Sequence, residues 1–237
     1  MNYRDQAMIE RMINNSNVVV NLVGPRTYLK RREEFDFVNI EIPERIAHAC
    51  KKKGVHRLIH FSAAGAHKDS PSFDFQTKAI AEEVVRKVFP NVTIFRPCPV
   101  YGFNDYFATT IERQYNFFFR KFCIVSDDCT ALKQPISVLD VATCVLNALK
   151  LEHTKGKTYE LGGPNVLTYL EVYEVLFNFL KMRPKLAYVD PDFLKFLTKY
   201  IYNWQFLSLE MIKKRKHVSQ YRHHRLNSEA FRARWNC

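Results

Sequence analysis

The sequence predicts an α/β fold: a doubly wound parallel sheet with a helical appendage at its C-terminal end. Short β-branched runs alternate with amphipathic segments of roughly ten to fifteen residues, which is the pattern of parallel β-α-β units. In addition, 47% of the 237 residues are hydrophobic, which is enough to bury a sizeable core. We expect residues 1–165 to form the sheet domain and residues 166–237 to form a helical, aromatic and basic region.

The first half of the chain carries signals for three helices and three strands. Asp5 is placed to cap a first helix, because apolar residues follow it at helical spacing. Residues 17–23 form a continuous β-branched run, typical of a strand buried on both faces, and Gly24 ends it. The next expected elements are a helix over 42–53 with Pro43 in its first turn and Gly54 after its end, a strand over 55–61, a helix over 74–88 and a strand over 92–95.

The second half continues the alternation less regularly. A helix is expected over 105–119, and another over 140–150 after the segment 134–138. A short strand is expected over 158–161. Thr168 and Glu171 then have the spacing of a capping box that opens a further amphipathic helix.

Most of the net charge of +12 lies near the C-terminus, since residues 195–237 contain ten Lys and Arg against two Glu. Aromatic residues alternate with lysine over 192–206, and residues 213–216 are a basic run. Such a segment suits the headgroup region of a membrane, so we expect contact with anionic lipid through residues 192–216. Acidic partner subunits would use the same charges. Nucleic acid is a weaker expectation, because four clustered cations form a small patch and are often only a solvated face.

Composition argues against several classes of protein. The six cysteines show no C-x-x-C and no zinc spacing, so we expect reduced core thiols and no metal site. No apolar run reaches about 18 residues, so a transmembrane helix is not expected. The first residues have the layout of neither a signal peptide nor a transit peptide.

Candidate binding residues lie where the predicted strands end. In a doubly wound sheet a ligand sits beyond the carboxyl ends of the strands, which here are residues 22–25, 61–64 and 96–101. These segments carry small or turn-forming residues, as the close approach of a nucleotide requires. Ordinary strand termini have a similar composition, so both interpretations stay open.

Six motifs in order give a more specific indication. The chain resembles the atypical extended short-chain dehydrogenases, which have a Rossmann-like fold, and more narrowly the short-chain-dehydrogenase-like accessory subunits of mitochondrial respiratory complex I. The motifs are Asn17-Val18-Val19-Val20-Asn21-Leu22-Val23-Gly24, Leu58-Ile59-His60-Phe61-Ser62, Lys78-Ala79-x-x-Glu82, Phe95-Arg96-Pro97-x-x-x-Tyr101-Gly102, Lys133-Gln134-Pro135-Ile136-x-Val138-x-Asp140-Val141 and Tyr159-Glu160-Leu161-Gly162-Gly163-Pro164.

The resemblance implies a set of residues that bind a nicotinamide dinucleotide, NADPH in these subunits. The first strand end passes the adenosine ribose, Ser62 lies near the nicotinamide, Lys78 hydrogen-bonds its ribose, and the third strand end passes the carboxamide. The implied cofactor-binding residues are Asn21, Leu22, Val23, Gly24, Ser62, Lys78, Arg96, Pro97 and Cys98. Each of these residues also has an explanation without a cofactor: Ser62 as a turn serine, Lys78 as a solvated helix lysine, and the others as ordinary strand termini.

The resemblance also marks a departure at Asp74. Four residues before the lysine, the dehydrogenases carry the tyrosine that transfers a proton, and this chain has no tyrosine between Tyr28 and Tyr101. An ordinary aspartic acid has a pKa of about 3.9, against about 10 for tyrosine, so at neutral pH it has no proton to give. We expect Asp74 to be a helix N-cap or an ion-pair partner of Lys78, and we expect no catalytic residue.

A second departure is the missing glycine-rich turn. The chain has seven glycines and no G-x-G-x-x-G, the motif whose backbone N–H groups hold a dinucleotide pyrophosphate. By the resemblance, roughly the first quarter of the fold is absent. The strand that begins at Asn17 would then have an exposed edge, and the chain expressed alone would be unstable or aggregate.

Three functions are compatible with these features. The first is a non-catalytic accessory subunit of complex I that supports the junction of its peripheral and membrane arms, peripheral on the matrix side of the inner membrane, with other complex I subunits as partners. The second is a soluble NADP-dependent reductase or sugar-nucleotide epimerase of the atypical short-chain family. The third is a nucleic-acid adaptor that uses the basic run.

Overall fold

The computed structural model describes residues 3–25, 29, 31–103, 105, 107–109, 112, 122–126, 132–181, 183 and 185–189, with 122–126 and 185–189 described as backbone alone. Within this part the chain forms two compact units. The first contains residues 3–97 and 140–161, and the second contains residues 98–139 and 162–189. The predicted division at residue 165 stays a prediction.

The first unit is built around a four-stranded parallel sheet. Its strands are β1 (Val18–Asn21), β2 (Arg57–Phe61), β3 (Thr93–Pro97) and β8 (Thr158–Leu161), in the spatial order β1-β2-β3-β8. The register pairs Asn21 with His60 and Phe61 with Phe95, so the carboxyl ends of β1, β2 and β3 are level. The sheet and the helices between its strands confirm the predicted α/β class.

Five α-helices accompany this sheet, and two of them follow the predicted bounds closely. They are α1 (Gln6–Ile13), α2 (Arg32–Asp36), α3 (Ile42–Lys52), α4 (Phe73–Val88) and α5 (Val138–Lys150), the last from Asp140 onward in this unit. Asp5 caps α1 by accepting from two backbone N–H groups, as predicted. Gly54 follows the end of α3 with φ +68°, a left-handed conformation that favours glycine.

The sequence interpretation missed the segment before α3. Residues Arg32–Asp36 are helical and continue through a π-helical turn, Phe37–Glu41, into α3. A π-turn inserts one residue into a helix and is often found at functional sites. It buries Asn39, which is 3% exposed. A 3-10 turn over Glu152–Thr154 was also not predicted.

The core lies between the sheet and its helices. Side chains of α1, α3, β2 and β3 form one buried cluster, together with the segments that enter the two strands. By contrast, β1 is one of the two edge strands of the described sheet, and its exposure runs from Val18, exposed, to Asn21, buried. The expectation that this strand is buried on both faces is wrong, because Val18 is exposed and the two valines after it are only half-buried.

The described residues of the second unit include several short strands and the helix Tyr169–Phe179. The strands are β4 (Val100–Tyr101), β5 (Phe122–Ser126), β6 (Leu132–Lys133), β7 (Ile136–Ser137), β9 (Leu167–Thr168) and β10 (Lys185–Val189). They pair as β4 with β7, β6 with β9 and β5 with β10. The predicted capping box is confirmed: Thr168 accepts from the Glu171 N–H and opens α6 (Tyr169–Phe179). The predicted helix over 105–119 and the region 192–216 lie largely or wholly outside the described residues.

Candidate functional site

The carboxyl ends of β1, β2 and β3 bring most of the predicted binding residues to one edge of the first unit. Two backbone hydrogen bonds join the ends of β2 and β3: the Ser62 N–H donates to the Phe95 carbonyl at 2.7 Å, and the Ala64 N–H donates to the Pro97 carbonyl at 2.9 Å. We call this edge the carboxyl edge. Cys98 begins the second unit, where it is a buried free thiol.

A buried pair of polar side chains closes the end of β1. The Asn21 amide nitrogen lies 3.1 Å from His60 Nδ1, and the Asn21 amide oxygen accepts from the Val23 N–H at 3.0 Å. Since the amide nitrogen is a donor, Nδ1 accepts and the imidazole proton is on Nε2. Nε2 has no hydrogen-bond partner among the described residues. Burial, and then the nearby Lys78 charge, lower the pKa of His60 to about 4, so the ring is neutral at pH 7.

The residues after β1 leave space at the carboxyl edge. Leu22 is 69% exposed, and Val23 packs partly against the core. Apart from its chain neighbours, no atom of the described residues lies within 4 Å of the position that a Cβ on Gly24 would take. Of the predicted set, this turn therefore offers the most room for a ligand to approach.

Ser62 belongs to a compact network of charged groups. Its hydroxyl donates to Glu82 Oε1 at 2.5 Å, and Arg96 binds both oxygens of the same carboxylate at 2.9 and 2.7 Å. Glu160 adds a second carboxylate 3.5 Å from Arg96 Nη1. The Glu82 carboxylate, with Glu160, raises the pKa of Arg96 above its ordinary value against the opposing effect of burial. The network therefore uses the Ser62 hydroxyl and both ends of the Arg96 fork internally.

Lys78 is held by Asp74 one turn earlier on α4. Its ammonium group lies 3.0 Å from Asp74 Oδ2, and the Asn39 amide donates to Asp74 Oδ1 at 2.9 Å. Asp74 is 1% exposed, so its charge is buried with one cation and one amide donor against it. The N-cap alternative for Asp74 is wrong, because Ser72 occupies the cap and accepts from the Phe75 N–H. The ion-pair alternative is confirmed.

Three side chains of this edge were not among the predicted site residues. The structure places His60 beside Asn21, Glu82 beside Ser62 and Asn39 beside Asp74. A sequence signal existed for Glu82, which stands four residues after Lys78 in the third motif and so shares a helix face with it. Asn39 and His60 meet partners more than 30 residues away in the chain, and only the fold brings these pairs together.

The residues present fit one part of a dinucleotide. The open turn at Gly24 is compatible with the adenosine ribose, and the 20% exposed side chain of Lys78 is compatible with the nicotinamide ribose. The pyrophosphate normally lies on the backbone N–H groups of a glycine-rich turn at a helix N-terminus, and the sequence contains no such motif. The residues present therefore fit the riboses of a dinucleotide and not its phosphates.

Other kinds of site find little support in the described residues. They contain no group of three or more His, Cys, Asp and Glu that could hold a metal ion. No helix in the described ranges combines the length and apolar character needed to cross a membrane. Cys50, Cys98 and Cys144 are buried free thiols, and burial raises the pKa of Cys50 and Cys144 to about 12. These three match the prediction of reduced core cysteines.

Comparison with protein families places residues 1–162 in the sequence model of the "NAD dependent epimerase/dehydratase family". The chain is 34% identical over 201 residues to "NADH dehydrogenase [ubiquinone] 1 alpha subcomplex subunit 9, mitochondrial" of Mus musculus, covering 85% of this chain and 50% of that protein. It is 37% identical over 186 residues to the protein of the same name from Arabidopsis thaliana, covering 77% and 45%. It is 33% identical over 218 residues to "NADH-ubiquinone oxidoreductase 40 kDa subunit, mitochondrial" of Neurospora crassa, covering 90% and 56%. The chain thus spans about half the length of the curated relatives it matches.

Solved structures with the same fold are nucleotide-dependent enzymes. One is DesIV, a dTDP-glucose 4,6-dehydratase from Streptomyces venezuelae with NAD and TYD bound, at a TM-score of 0.67 and 18% identity, covering 79% of this chain and 66% of that one. Another is a dTDP-4-dehydrorhamnose reductase from Bacillus anthracis in complex with NADP, at a TM-score of 0.68 and 14% identity, covering 81% and 73%. At these identities the likeness establishes the fold alone.

Proposed function

The chain belongs to the NAD dependent epimerase/dehydratase family, and we propose that within it the chain serves as a non-catalytic accessory subunit of mitochondrial respiratory complex I. The names of its curated relatives support the assignment to that complex. The observation that supports a non-catalytic role is the buried ion pair of Asp74 and Lys78.

The chemical argument concerns the proton donor. By the resemblance, Asp74 stands where the dehydrogenases carry their tyrosine. A carboxylate 3.0 Å from an ammonium group is held in an ion pair, which disfavours a role as proton donor to a substrate oxygen. In the enzymes this lysine binds a ribose and acidifies the tyrosine; here one of its three N–H donors is given to Asp74, which leaves two for a ribose. The Ser62 hydroxyl donates to Glu82, so toward a ligand it can act only as an acceptor.

The cofactor of this proposal is a structural NADPH. Bound at the carboxyl edge, it would supply redox chemistry in an enzyme, but here its effect is on stability: a ligand that binds only the folded state shifts the folding equilibrium by mass action. The residues that would hold it are Asn21, Leu22, Val23 and Gly24 at the first strand end, Ser62 and Lys78 in the middle, and Arg96, Pro97 and Cys98 at the third. Gly24 is the position at which NADPH binding can be tested, because the space beside it is open to a ligand.

We further propose that the chain is peripheral on the matrix side of the inner membrane, at the junction of the peripheral and membrane arms, and that other complex I subunits are its partners. The basic and aromatic residues 192–216 suit anionic lipid or acidic subunits at such a junction. The edge strand β1 also has an outer edge that a strand from another polypeptide could pair with.

Assembly is the direct test. A tagged copy of the chain in mitochondria is expected to migrate on a native gel with the complex of roughly megadalton size, in the band that stains for NADH oxidation. Migration as a free monomer or dimer, with the complex intact beside it, would overturn the proposal.

Catalysis is tested separately with purified chain. We expect no turnover of NADPH or NADH with sugar-nucleotide or carbonyl substrates. Turnover that is lost in Lys78→Ala, but kept in the control Lys68→Ala, would show an enzyme despite Asp74. Lys68 is a suitable control because it is also ion-paired, with Glu83, but lies in the surface loop before α4.

A further inference from the structure

The end of the sheet opposite the candidate site has its own chemical character. In β-α-β units the helices run back against the strands, so the C-terminal ends of α3, α4 and α5 lie where the next strands begin. We call this end of the first unit the amino edge. It comprises the last turns of α1, α3, α4 and α5 and the loops that lead into β1, β2, β3 and β8.

Lysine dominates this edge. Seven lysines lie on it, against two glutamates: Lys51, Lys52, Lys53, Lys87, Lys150, Lys155 and Lys157, with Glu10 and Glu152. Lys52 pairs with Glu10 at 2.8 Å, and Lys155 pairs with Glu152. The other five side chains make no ion pair within the described part of the chain, and all five are exposed. Four of them, Lys51, Lys53, Lys87 and Lys157, lie in or next to the segments that lead into β2, β3 and β8.

Hydrogen bonds fix the backbone near two of these lysines, Lys87 and Lys157. Arg86, next to Lys87, donates to the Gly156 carbonyl at 2.6 Å and to Thr158 Oγ1 at 2.7 Å, which joins the end of α4 to the loop before β8. In that loop, the Lys157 carbonyl accepts from the Ile94 N–H at 2.9 Å. These contacts fix the backbone positions from which Lys87 and Lys157 extend.

The helix dipole explains only part of this arrangement. A cation in the last turn of a helix is stabilised by the partial negative charge there, which accounts for Lys51, Lys87 and Lys150 one at a time. Lys157 belongs to no helix. At the carboxyl edge, by contrast, Lys68 and Lys78 each have a carboxylate partner. Among the described lysines of this unit, those without an ion-pair partner are therefore concentrated at one end of the sheet.

We propose that the amino edge docks on an anionic phospholipid surface. Lysine favours this partner over an acidic protein, because its ammonium group is strongly hydrated and is depleted in protein interfaces, where arginine is enriched. A charged headgroup layer attracts such groups without dehydrating them. Two exposed apolar side chains lie at the same edge and suit the headgroup boundary: Met12, in the last turn of α1, and Val18, the first residue of β1. This docking face includes none of residues 192–216, and it lies at the opposite end of the sheet from the carboxyl edge.

Vesicle flotation tests the proposal with the full chain. Vesicles of phosphatidylcholine with 30% cardiolipin are compared with vesicles of phosphatidylcholine alone. The test variant carries Lys51→Gln, Lys53→Gln, Lys87→Gln and Lys157→Gln, and the matched control carries arginine at the same four positions. Each lysine near an anionic membrane strengthens partitioning by about fivefold, so we expect the glutamine variant, which lacks four of them, to bind roughly 600-fold more weakly. The arginine control should bind like wild type, because a diffuse charged surface needs only the charge.

Lysine footprinting gives a second measurement that does not depend on any variant. Acetylation of the wild-type chain with and without vesicles, read by mass spectrometry, should show protection of Lys51, Lys53, Lys87 and Lys157, with Lys68 as the internal control. Equal vesicle binding by the glutamine variant, or protection of Lys68 and not of the four lysines, would overturn the proposal. Retention on poly-glutamate together with no vesicle binding would also overturn it, in favour of an acidic protein partner.

Discussion

His60 makes the stability of this fold depend on pH in a defined window. The ring is buried against Asn21 near a lysine charge, and its pKa is lowered from 6.5 to about 4. The folded state therefore keeps the ring neutral to lower pH than the unfolded chain does. Between pH 6.5 and 4 the unfolded chain holds more protons, so acidification through this window favours unfolding. Above pH 6.5 the stabilisation that comes from the neutral His60 is fully present, and below pH 4 it is lost.

The size of the effect follows from the shift. A difference of about 2.5 pKa units corresponds to about 3 kcal/mol of unfolding free energy over the whole window, of which about 2 kcal/mol is lost between pH 7 and pH 5. Glutamine at position 60 can still accept a hydrogen bond from Asn21 but does not titrate. The His60→Gln variant should therefore lose about 2 kcal/mol less than wild type over the same interval, whatever its stability at pH 7.

Urea unfolding followed by circular dichroism at pH 7, 6 and 5 measures this difference. Both proteins are kept at the same ionic strength and diluted enough to stay monomeric. Other titrating groups act equally in the two proteins and cancel in the comparison. Parallel profiles of unfolding free energy against pH for wild type and His60→Gln would refute the assignment of a buried, neutral His60.

Four further outcomes are expected. Arg96→Met leaves the buried Glu82 carboxylate without its main cation and should cost about 3–5 kcal/mol of unfolding free energy in urea. Adding Glu82→Leu should recover most of that loss. Equal losses of unfolding free energy in the single and the double variant would contradict the ion-pair argument. Gly163→Ala places a Cβ against a backbone carbonyl oxygen and should lower the melting temperature, while Gly24→Ala should not; equal melting temperatures would contradict the packing around these turns. Asn39→Ala removes the amide donor of a buried carboxylate and should cost about 1–3 kcal/mol, so an unchanged urea midpoint would count against it. At concentrations well above those of the dilute unfolding experiments, the chain expressed alone should aggregate through the edge of its sheet, and a concentrated sample that stays soluble with a cooperative thermal transition would show otherwise.

Local signals predicted the elements that local interactions determine. Asp5 and Thr168 cap their helices with the predicted side-chain contacts, and the predicted strand over 158–161 has the observed bounds. The π-turn before α3 gave no comparable signal, because its extra residue breaks the helical spacing on which the prediction relies. The burial of β1 was overestimated for another reason. A run of valines predicts a central strand, but neighbours decide burial, and this strand has a described neighbour on one side only.

In the candidate site, too, the sequence predicted some features and not others. The strand ends that approach each other could be predicted, since parallel strands place their carboxyl ends at one edge. The hydrogen-bond partners could not, because Ser62 and Glu82 are 20 residues apart and Asn39 and Asp74 are 35 apart. Sequence motifs suggested that Ser62 and Lys78 face a ligand. The structure shows that each has a carboxylate of its own, which the motifs do not record.

The contact between Lys78 and Asp74 bears on how a retained motif lysine should be interpreted. A buried carboxylate without a counter-ion is costly, so a chain with aspartate at position 74 needs a cation and a donor beside it. Lys78 provides the cation one helical turn away, and Asn39 provides the amide from the π-turn. A lysine kept for this reason preserves the motif without preserving catalysis. On the proposal that Asp74 replaces a tyrosine, the structural need for the ion pair alone is sufficient to keep Lys78, and its presence is no argument for a dehydrogenase.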